Sequence, residues 1–193
     1  ILHPDIGSDM TQILEVAVQP NALVAVTVGI ELGVPFETVK KALESFSGVY
    51  RRFEIKLNKD ILLIDDYAHH PTETSATLSG IRSGWKRRLV SVFQPHLYSR
   101  TRDFYEEFGR SFLLSDVFVC TDVYPARELP IDGVSGEMIV KAARKFGHKN
   151  AVYIPNKEDV PAYLSSIVKK DDIIVTMGAG DIWRFGEKFR SAY

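Results

Sequence analysis

From Ile61 to the end, short apolar runs alternate with stretches of helical periodicity, and no other feature of the sequence narrows the choice of fold so far. The runs at 61–66, 88–94, 117–122, 151–154 and 172–177 are rich in Val, Ile, Leu and Phe and largely continuous, the pattern of strands buried on both faces. Behind them, 71–82, 101–114, 135–146, 157–168 and 181–190 read as helices, with Ser135 at the N-cap of the third. Strands and helices taken in turn predict an α/β domain on a mostly parallel sheet with helices on both faces. Right-handed crossovers then gather every strand-to-helix loop along one edge of that sheet.

The first fifty residues follow a different rule. No period is clear over 1–20, and Pro20 interrupts whatever precedes it. From Asn21 onward, Ala22, Leu23, Val26, Thr27 and Ile30 fall at helical spacing until Gly33-Val-Pro35 stops the pattern. Phe36 to Phe46 forms a second amphipathic helix, with Phe36, Val39, Leu43 and Phe46 on one face. This helical segment, 1–50, has no strand of its own and reads as the end of another domain or as a lid. Gly48-Val-Tyr-Arg-Arg-Phe-Glu54 links it to residues 51–193. There Phe53, Ile55 and Leu57 alternate as a strand, and Asn58-Lys-Asp60 turns the chain back toward Ile61.

Composition removes several classes of function. A net charge of −1 offers no bulk positive field for nucleic acid. No apolar run approaches the ~20 residues of a membrane span, and no signal-peptide pattern opens the chain. Cys120 is the single cysteine, so an internal disulfide framework is excluded and a reducing, cytoplasmic setting is expected. The chain opens on Ile1 instead of Met, which leads to the expectation that it is cut from something larger.

The strand ends carry the chemistry. The 61–66 strand runs into Asp65-Asp66-Tyr67-Ala-His69-His70, and the 88–94 strand into Gln94-Pro-His96-Leu-Tyr-Ser-Arg100-Thr-Arg102. The next ends in Asp122-Val-Tyr-Pro-Ala-Arg127-Glu128, and the last in Met177-Gly-Ala-Gly-Asp181. Four polar clusters, distant in sequence, are thus expected in one crevice. Arg100, Arg102 and Arg127 suit phosphate or carboxylate oxygens. Asp65 and Asp66 suit ribose hydroxyls or the anchoring of arginines, and His69, His70 and His96 suit phosphate, carboxylate or proton transfer. Gly178-Ala-Gly180 allows close backbone approach to a ligand, with a helix N-terminus behind it. A P-loop, a full dinucleotide fingerprint and a GxSxG elbow are all missing. A metal site of the three histidines with Asp65 or Asp66 lacks a fixed bite, so no metal ligand is assigned.

Asp65-Asp-Tyr-Ala-His-His-Pro-Thr-Glu73, Phe93-Gln-Pro-His96 with Tyr98-Ser-Arg-Thr-Arg102, and Asp122-Val-Tyr-Pro-Ala-Arg-Glu128 closely resemble the Mur ligases, most of all their alanine-adding branch. Gly48–Glu54 and Gly178–Asp181 fit the same family, and the resemblance spans about residues 21–190. It implies three domains: one for a UDP-sugar, a central ATPase domain with the P-loop, and a Rossmann-like C-terminal domain. Residues 1–50 then correspond to the end of the central domain and 51–193 to the whole C-terminal one. The implied activity is ATP-dependent amide formation in peptidoglycan synthesis. ATP phosphorylates the carboxylate of UDP-N-acetylmuramate, and the amine of L-alanine displaces phosphate from the acyl phosphate. Mg2+ accompanies ATP, with its main ligands expected in the P-loop part, so the 193 residues alone are expected to be inactive.

The resemblance also implies residue roles. Asn21 matches an adenine-side Asn, although Val18 and Gln19-Pro20 depart from the family pattern. Arg52 matches an interdomain arginine near ATP phosphate, with Gly48–Glu54 as the hinge. Asp66, with Asp65 beside it, matches the ribose-bonding Asp. Tyr67, His69, Arg100 and Arg102 match the alanine- and phosphate-facing surface, and Leu97 stands where some members carry a basic residue. His70, His96 and Arg127 complete the expected binding set. Two alternatives stay open: the branch that adds a whole tripeptide, and a non-catalytic nucleotide- or anion-binding module.

Overall fold

The computed structural model describes residues 22–46 and 48–193; Asn21 therefore lies outside the described residues. The chain divides into two compact units. One holds the described residues up to Val49 together with Ser79–Lys86, and the other holds Tyr50–Leu78 with Arg87–Tyr193.

In the first unit, helix α1 covers 22–31 and helix α2 covers Phe36–Ser45. Gly33, at φ +75°, turns the chain between them, and the Gly33 and Val34 amides close onto the Ile30 and Gly29 carbonyls. Pro35 precedes the first turn of α2, where its fixed φ suits a helix start. The expected apolar face of α2 is only partly buried. Val39 packs against Gly29, where a Cβ would lie 2.7 Å from Val39 Cγ2, but Phe36 and Phe46 stay 53% and 60% exposed.

The second unit is a six-stranded sheet of order β1-β2-β6-β3-β4-β5. Strands β2 (Leu62–Asp66), β3 (Leu89–Phe93), β4 (Val117–Cys120), β5 (Ala151–Tyr153) and β6 (Ile173–Met177) are parallel. Strand β1 (Glu54–Asn58) runs antiparallel to β2 through the expected hairpin. Helices α3 (Pro71–Gly84), α4 (Tyr98–Ser111), α5 (Glu137–Lys145), α6 (Val160–Ile167) and α7 (Trp183–Ala192) alternate with the parallel strands. Strands β2, β3, β4 and β6 are buried along their whole length, because both of their faces are covered. On one face Leu63, Val90, Val92, Val119 and Ile174 pack with Val160 and Leu164 of α6 and Phe185 and Phe189 of α7. On the other, Phe93 meets Phe108 of α4 and Phe112, which in turn stacks on Phe118 at 3.9 Å. The α/β architecture read from the sequence is the one found.

Four helix starts differ from expectation, α7 beginning at Trp183 and the other three differing for a plain local reason. Helix α4 begins at Tyr98, three residues before the expected position, because Leu97 adopts φ +74° and turns the chain straight into the helix. Arg100 thereby sits in the first turn of α4. Helix α5 begins at Glu137, and its leading Gly136 amide donates to the Asp122 carboxylate; the Ser135 cap is not formed. The 157–168 segment splits into a short 3-10 turn, Lys157–Asp159, and α6, with Pro161 at the start.

Candidate functional site

The carboxyl ends of β2, β6 and β3 are laced together. The Gly178 amide donates to the Asp66 carbonyl at 3.2 Å and the Gln94 amide to the Met177 carbonyl at 3.0 Å. The β4 end joins them through His96 and Tyr124, which form a parallel bridge closed by Leu97 N to Tyr124 O (3.0 Å) and Tyr124 N to Pro95 O (2.8 Å). The four polar clusters found in the sequence therefore share one edge.

Backbone amides at that edge are already engaged by the protein itself. The Glu73 carboxylate accepts the amides of His69 and His70 at the start of α3. Glu128, from the loop after β4, accepts the Ser99 amide and the Ser99 hydroxyl at the start of α4. Asp122 accepts Gly136 N before α5. Gln94 Oε1 accepts the amides of Asp181 (2.9 Å) and Ile182 (3.2 Å) before α7, while its Nε2 donates to Asp181 Oδ1. The glycine turn expected to admit a ligand instead admits side chains of the same unit. A Cβ on Gly180 would stand 2.3 Å from Gln94 Oε1 and 2.8 Å from the Tyr124 ring.

What remains open at the edge is a set of side chains. The Arg52 guanidinium lies over the Tyr67 ring at 5.3 Å. Tyr67 meets His69 edge-on at 5.4 Å, His69 meets His96 at 5.9 Å, and His96 stacks on Tyr124 at 5.8 Å. Arg100 Nη1 donates to the His69 carbonyl at 3.3 Å, which holds this cation beside the imidazoles. His69 Nδ1 lies 3.1 Å from both the Tyr67 carbonyl and Glu73 Oε2. Both partners accept, so Nδ1 carries the proton, and Nε2 is the acceptor whenever the ring is uncharged. Burial pushes the Glu73 carboxyl up, but the His69 and His70 amides and the charges of His69 and Arg52 prevail and hold it below its ordinary range. Partial burial, with Arg100 and His69 nearby, lowers the His96 pKa and keeps that ring neutral.

Other sequence-chosen residues take different places. Asp65 and Asp66 are 2% and 7% exposed, and burial pushes both carboxyls above their ordinary range. Asp65 binds Arg51 Nε and Thr176 Oγ1, so of its two expected uses the anchoring of an arginine is the one formed. Asp66 binds the amides of Ala68 and Phe53 and the Thr77 hydroxyl. His70 sits against the Phe104 ring at 5.1 Å, to the side of the cluster. Arg102 is exposed and pairs with its neighbour Asp103, and Arg127 is exposed on the β4 loop. Four contributors escaped the sequence reading: Arg51, Gln94 as a cap, Tyr124 as a stacking ring, and Lys157, whose Nζ pairs with Asp181 at 2.7 Å. Among the described residues, no group of three His, Cys, Asp or Glu side chains is placed to hold a metal ion. None of their helices is long and apolar enough to cross a membrane.

Residues 51–180 match the family model described as Mur ligase, glutamate ligase domain. The chain is 49% identical over 169 residues to a UDP-N-acetylmuramate–L-alanine ligase of Desulfosudis oleivorans, covering 86% of this chain and 37% of the relative. It is 51% identical over 171 residues to the enzyme of the same name from Salinibacter ruber, covering 88% and 36%. Among solved structures, UDP-N-acetylmuramate-alanine ligase from Thermotoga maritima matches with a TM-score of 0.75 at 30% identity, over 90% of this chain and 36% of that one. A murein peptide ligase from Psychrobacter arcticus matches with a TM-score of 0.66 at 27% identity, over 89% and 36%. The chain thus spans a little over a third of the length of these relatives.

Proposed function

The chain belongs to the Mur ligase family, and from that premise we propose that it is the C-terminal part of an ATP-dependent ligase that joins L-alanine to UDP-N-acetylmuramate. The observation that carries this reading is the identity of about half, across 86% of the chain, to enzymes named for that reaction. The open side chains of the edge suit the chemistry. In the reaction, ATP transfers its γ-phosphoryl group to the carboxylate of UDP-N-acetylmuramate, giving ADP and an acyl phosphate. The alanine amine attacks the acyl carbon, the C–O bond to phosphate breaks, and inorganic phosphate leaves.

Arg52 and Arg100 are the cations for phosphoryl and carboxylate oxygens. His69, with Nδ1–H fixed between two oxygens, offers Nε2 to the proton that the alanine nitrogen loses as its amine attacks. Tyr67 and His96 wall this group on either side. Asn21, as an adenine-side contact, and His70, Arg102 and Arg127, as peripheral binding residues, belong to the same proposal. Asp65 and Asp66 serve it by holding the wall in shape, since their carboxylates are sealed inside. Mg2+ would accompany ATP, but the described residues provide no ligand set for it, and no step here is assigned to it. An acyl phosphate must be shielded from water, which a site completed by further domains accomplishes.

The test is phosphate and ADP release by the full-length protein with ATP, UDP-N-acetylmuramate and either L-alanine or the murein tripeptide. Release with alanine alone is expected, and none from the isolated 193 residues. Release with the tripeptide alone moves the chain to the tripeptide-adding branch, and release with neither leaves a binding module.

A further inference from the structure

Next to Arg52 stands a second arginine with a different task. Arg51 is 7% exposed, and all three of its guanidinium nitrogens are engaged. Nε donates to Asp65 Oδ2 at 2.9 Å, Nη1 to the Gly180 carbonyl at 3.1 Å and Nη2 to the Gly178 carbonyl at 2.6 Å. Its own carbonyl accepts the Tyr67 amide at 2.7 Å, and its amide donates to Glu54 Oε2 at 2.9 Å. One residue thus ties together the segment before β1, the end of β2 and the turn after β6. Asp65 is fixed in turn by Thr176 Oγ1 at 2.7 Å.

The backbone at this point is bent to make the ties. Arg51 and Phe53 adopt φ +58° and +48°, a left-handed conformation that non-glycine residues enter only at a cost. The bend sends the Arg51 side chain inward while leaving Arg52 exposed. Both guanidinium carbons nevertheless reach the same phenol ring, at 5.1 Å from Arg51 and 5.3 Å from Arg52. Tyr67 is therefore fixed by its amide to Arg51 and by its ring to both arginines. Gly48–Glu54, expected as a hinge, is fastened to the sheet edge from Arg51 onward.

We propose that Arg51 is a positioning residue of the ligase site: sealed from substrate itself, it sets where Arg52 and Tyr67 stand by clamping the Gly178 and Gly180 carbonyls and Asp65. The inference rests on the ligase reading for its kinetic consequence. Lysine cannot replace this arginine, because a single ammonium cannot meet three acceptors held in a planar fork.

The experiment uses the full-length ligase carrying Arg51→Lys, Arg52→Ala or both, with Asp65→Asn as a milder disturbance of the same clamp. Arg51→Lys is expected to lower kcat by about ten-fold or more while moving KM for UDP-N-acetylmuramate by less than about two-fold. In the Arg52→Ala background the same change should cost less than about three-fold, because a residue acting through Arg52 has little left to lose. Asp65→Asn should show the same non-additivity with a smaller effect. Losses that simply multiply, or an Arg51→Lys enzyme with wild-type kcat, overturn the proposal. If the wild-type protein releases no phosphate with its three substrates, the ligase reading fails separately. The clamp is then judged by hydrogen exchange: Arg51→Lys should speed exchange of the Tyr67 and Gly178 amides by about ten-fold with β3 and β4 unchanged. Unaltered exchange at those amides would end it.

Discussion

Replacing Gln94 by leucine tests whether the turn after β6 is held from inside. The Gln94 side chain is buried, at 2% exposure, and makes three bonds: Oε1 to two amides that open α7, and Nε2 to Asp181 Oδ1. Leucine keeps the approximate size and removes all three. Loss of a helix cap costs about 1 kcal/mol. Ile182, fully buried, keeps an amide with no acceptor, which costs a further ~1–3 kcal/mol. The Asp181 carboxylate still holds Lys157 at 2.7 Å, so that part of the network survives. Added apolar burial returns about 1 kcal/mol. The net expectation is a loss of roughly 1–3 kcal/mol, read from urea unfolding followed by circular dichroism with an unchanged m value. Gln94→Glu sharpens the test. Its carboxylate can accept the two amides and favours the positive end of the helix, but it faces Asp181 Oδ1 where an amide once donated. Two amide bonds are kept and only the Asp181 contact turns repulsive, so the Glu variant should lose less stability than the Leu variant in the same unfolding assay. A Gln94→Leu loss below about 1 kcal/mol, with the same m value, would refute the reasoning.

Other consequences can be checked on the same unit. Gly109→Ala places a Cβ 2.8 Å from both Ala142 Cβ and Ala143 N, where α4 crosses α5, and should destabilise by about 1–3 kcal/mol in thermal or urea unfolding. His148 is buried, its Nε2 has no partner, and burial lowers its pKa below the ordinary 6.5. The unfolded chain therefore takes up the proton first, and stability is full above pH 6.5 and falls below it. His148→Leu should flatten that fall, and an identical slope in unfolding curves from pH 7.5 to 5.5 would exclude the assignment. Cys120 is fully buried and burial pushes its thiol well up, so a thiol reagent should find no reactive group in the native chain and one in denaturant.

The sheet was legible because its strands are covered on both faces and so read as unbroken apolar runs, as in Leu89-Val-Ser-Val-Phe93. The convergence of four clusters on one edge followed from topology alone. Which of two adjacent arginines turns inward was not legible, since the choice depends on a positive φ at a non-glycine residue, Arg51, that no local pattern announces. The caps were hidden for another reason. Glu128 reaches Ser99 across 29 residues and Gln94 reaches Asp181 across 87, so only the folded sheet brings the pairs together. The α4 start was misplaced because Leu97, an ordinary helix former, makes the left-handed turn before it.

The capping pattern bears on how the edge recognises anions. A helix N-terminus attracts phosphate through free amides and its dipole, which is what Gly178–Asp181 suggests when read from sequence. Yet amides at the starts of α3, α4, α5 and α7 are taken up by Glu73, Glu128, Asp122 and Gln94. Three of these caps are carboxylates, which place negative charge where a phosphate would otherwise sit. On the proposed reading, recognition would fall to Arg52, Arg100 and the imidazoles, groups at the ends of side chains and not on the backbone. Such groups can be withdrawn or presented by small movements, whereas a backbone cradle binds phosphate whenever the fold is intact. For a reaction whose intermediate hydrolyses on contact with water, a wall that gains its affinity only when its side chains are brought into place suits the chemistry better than a permanent phosphate site.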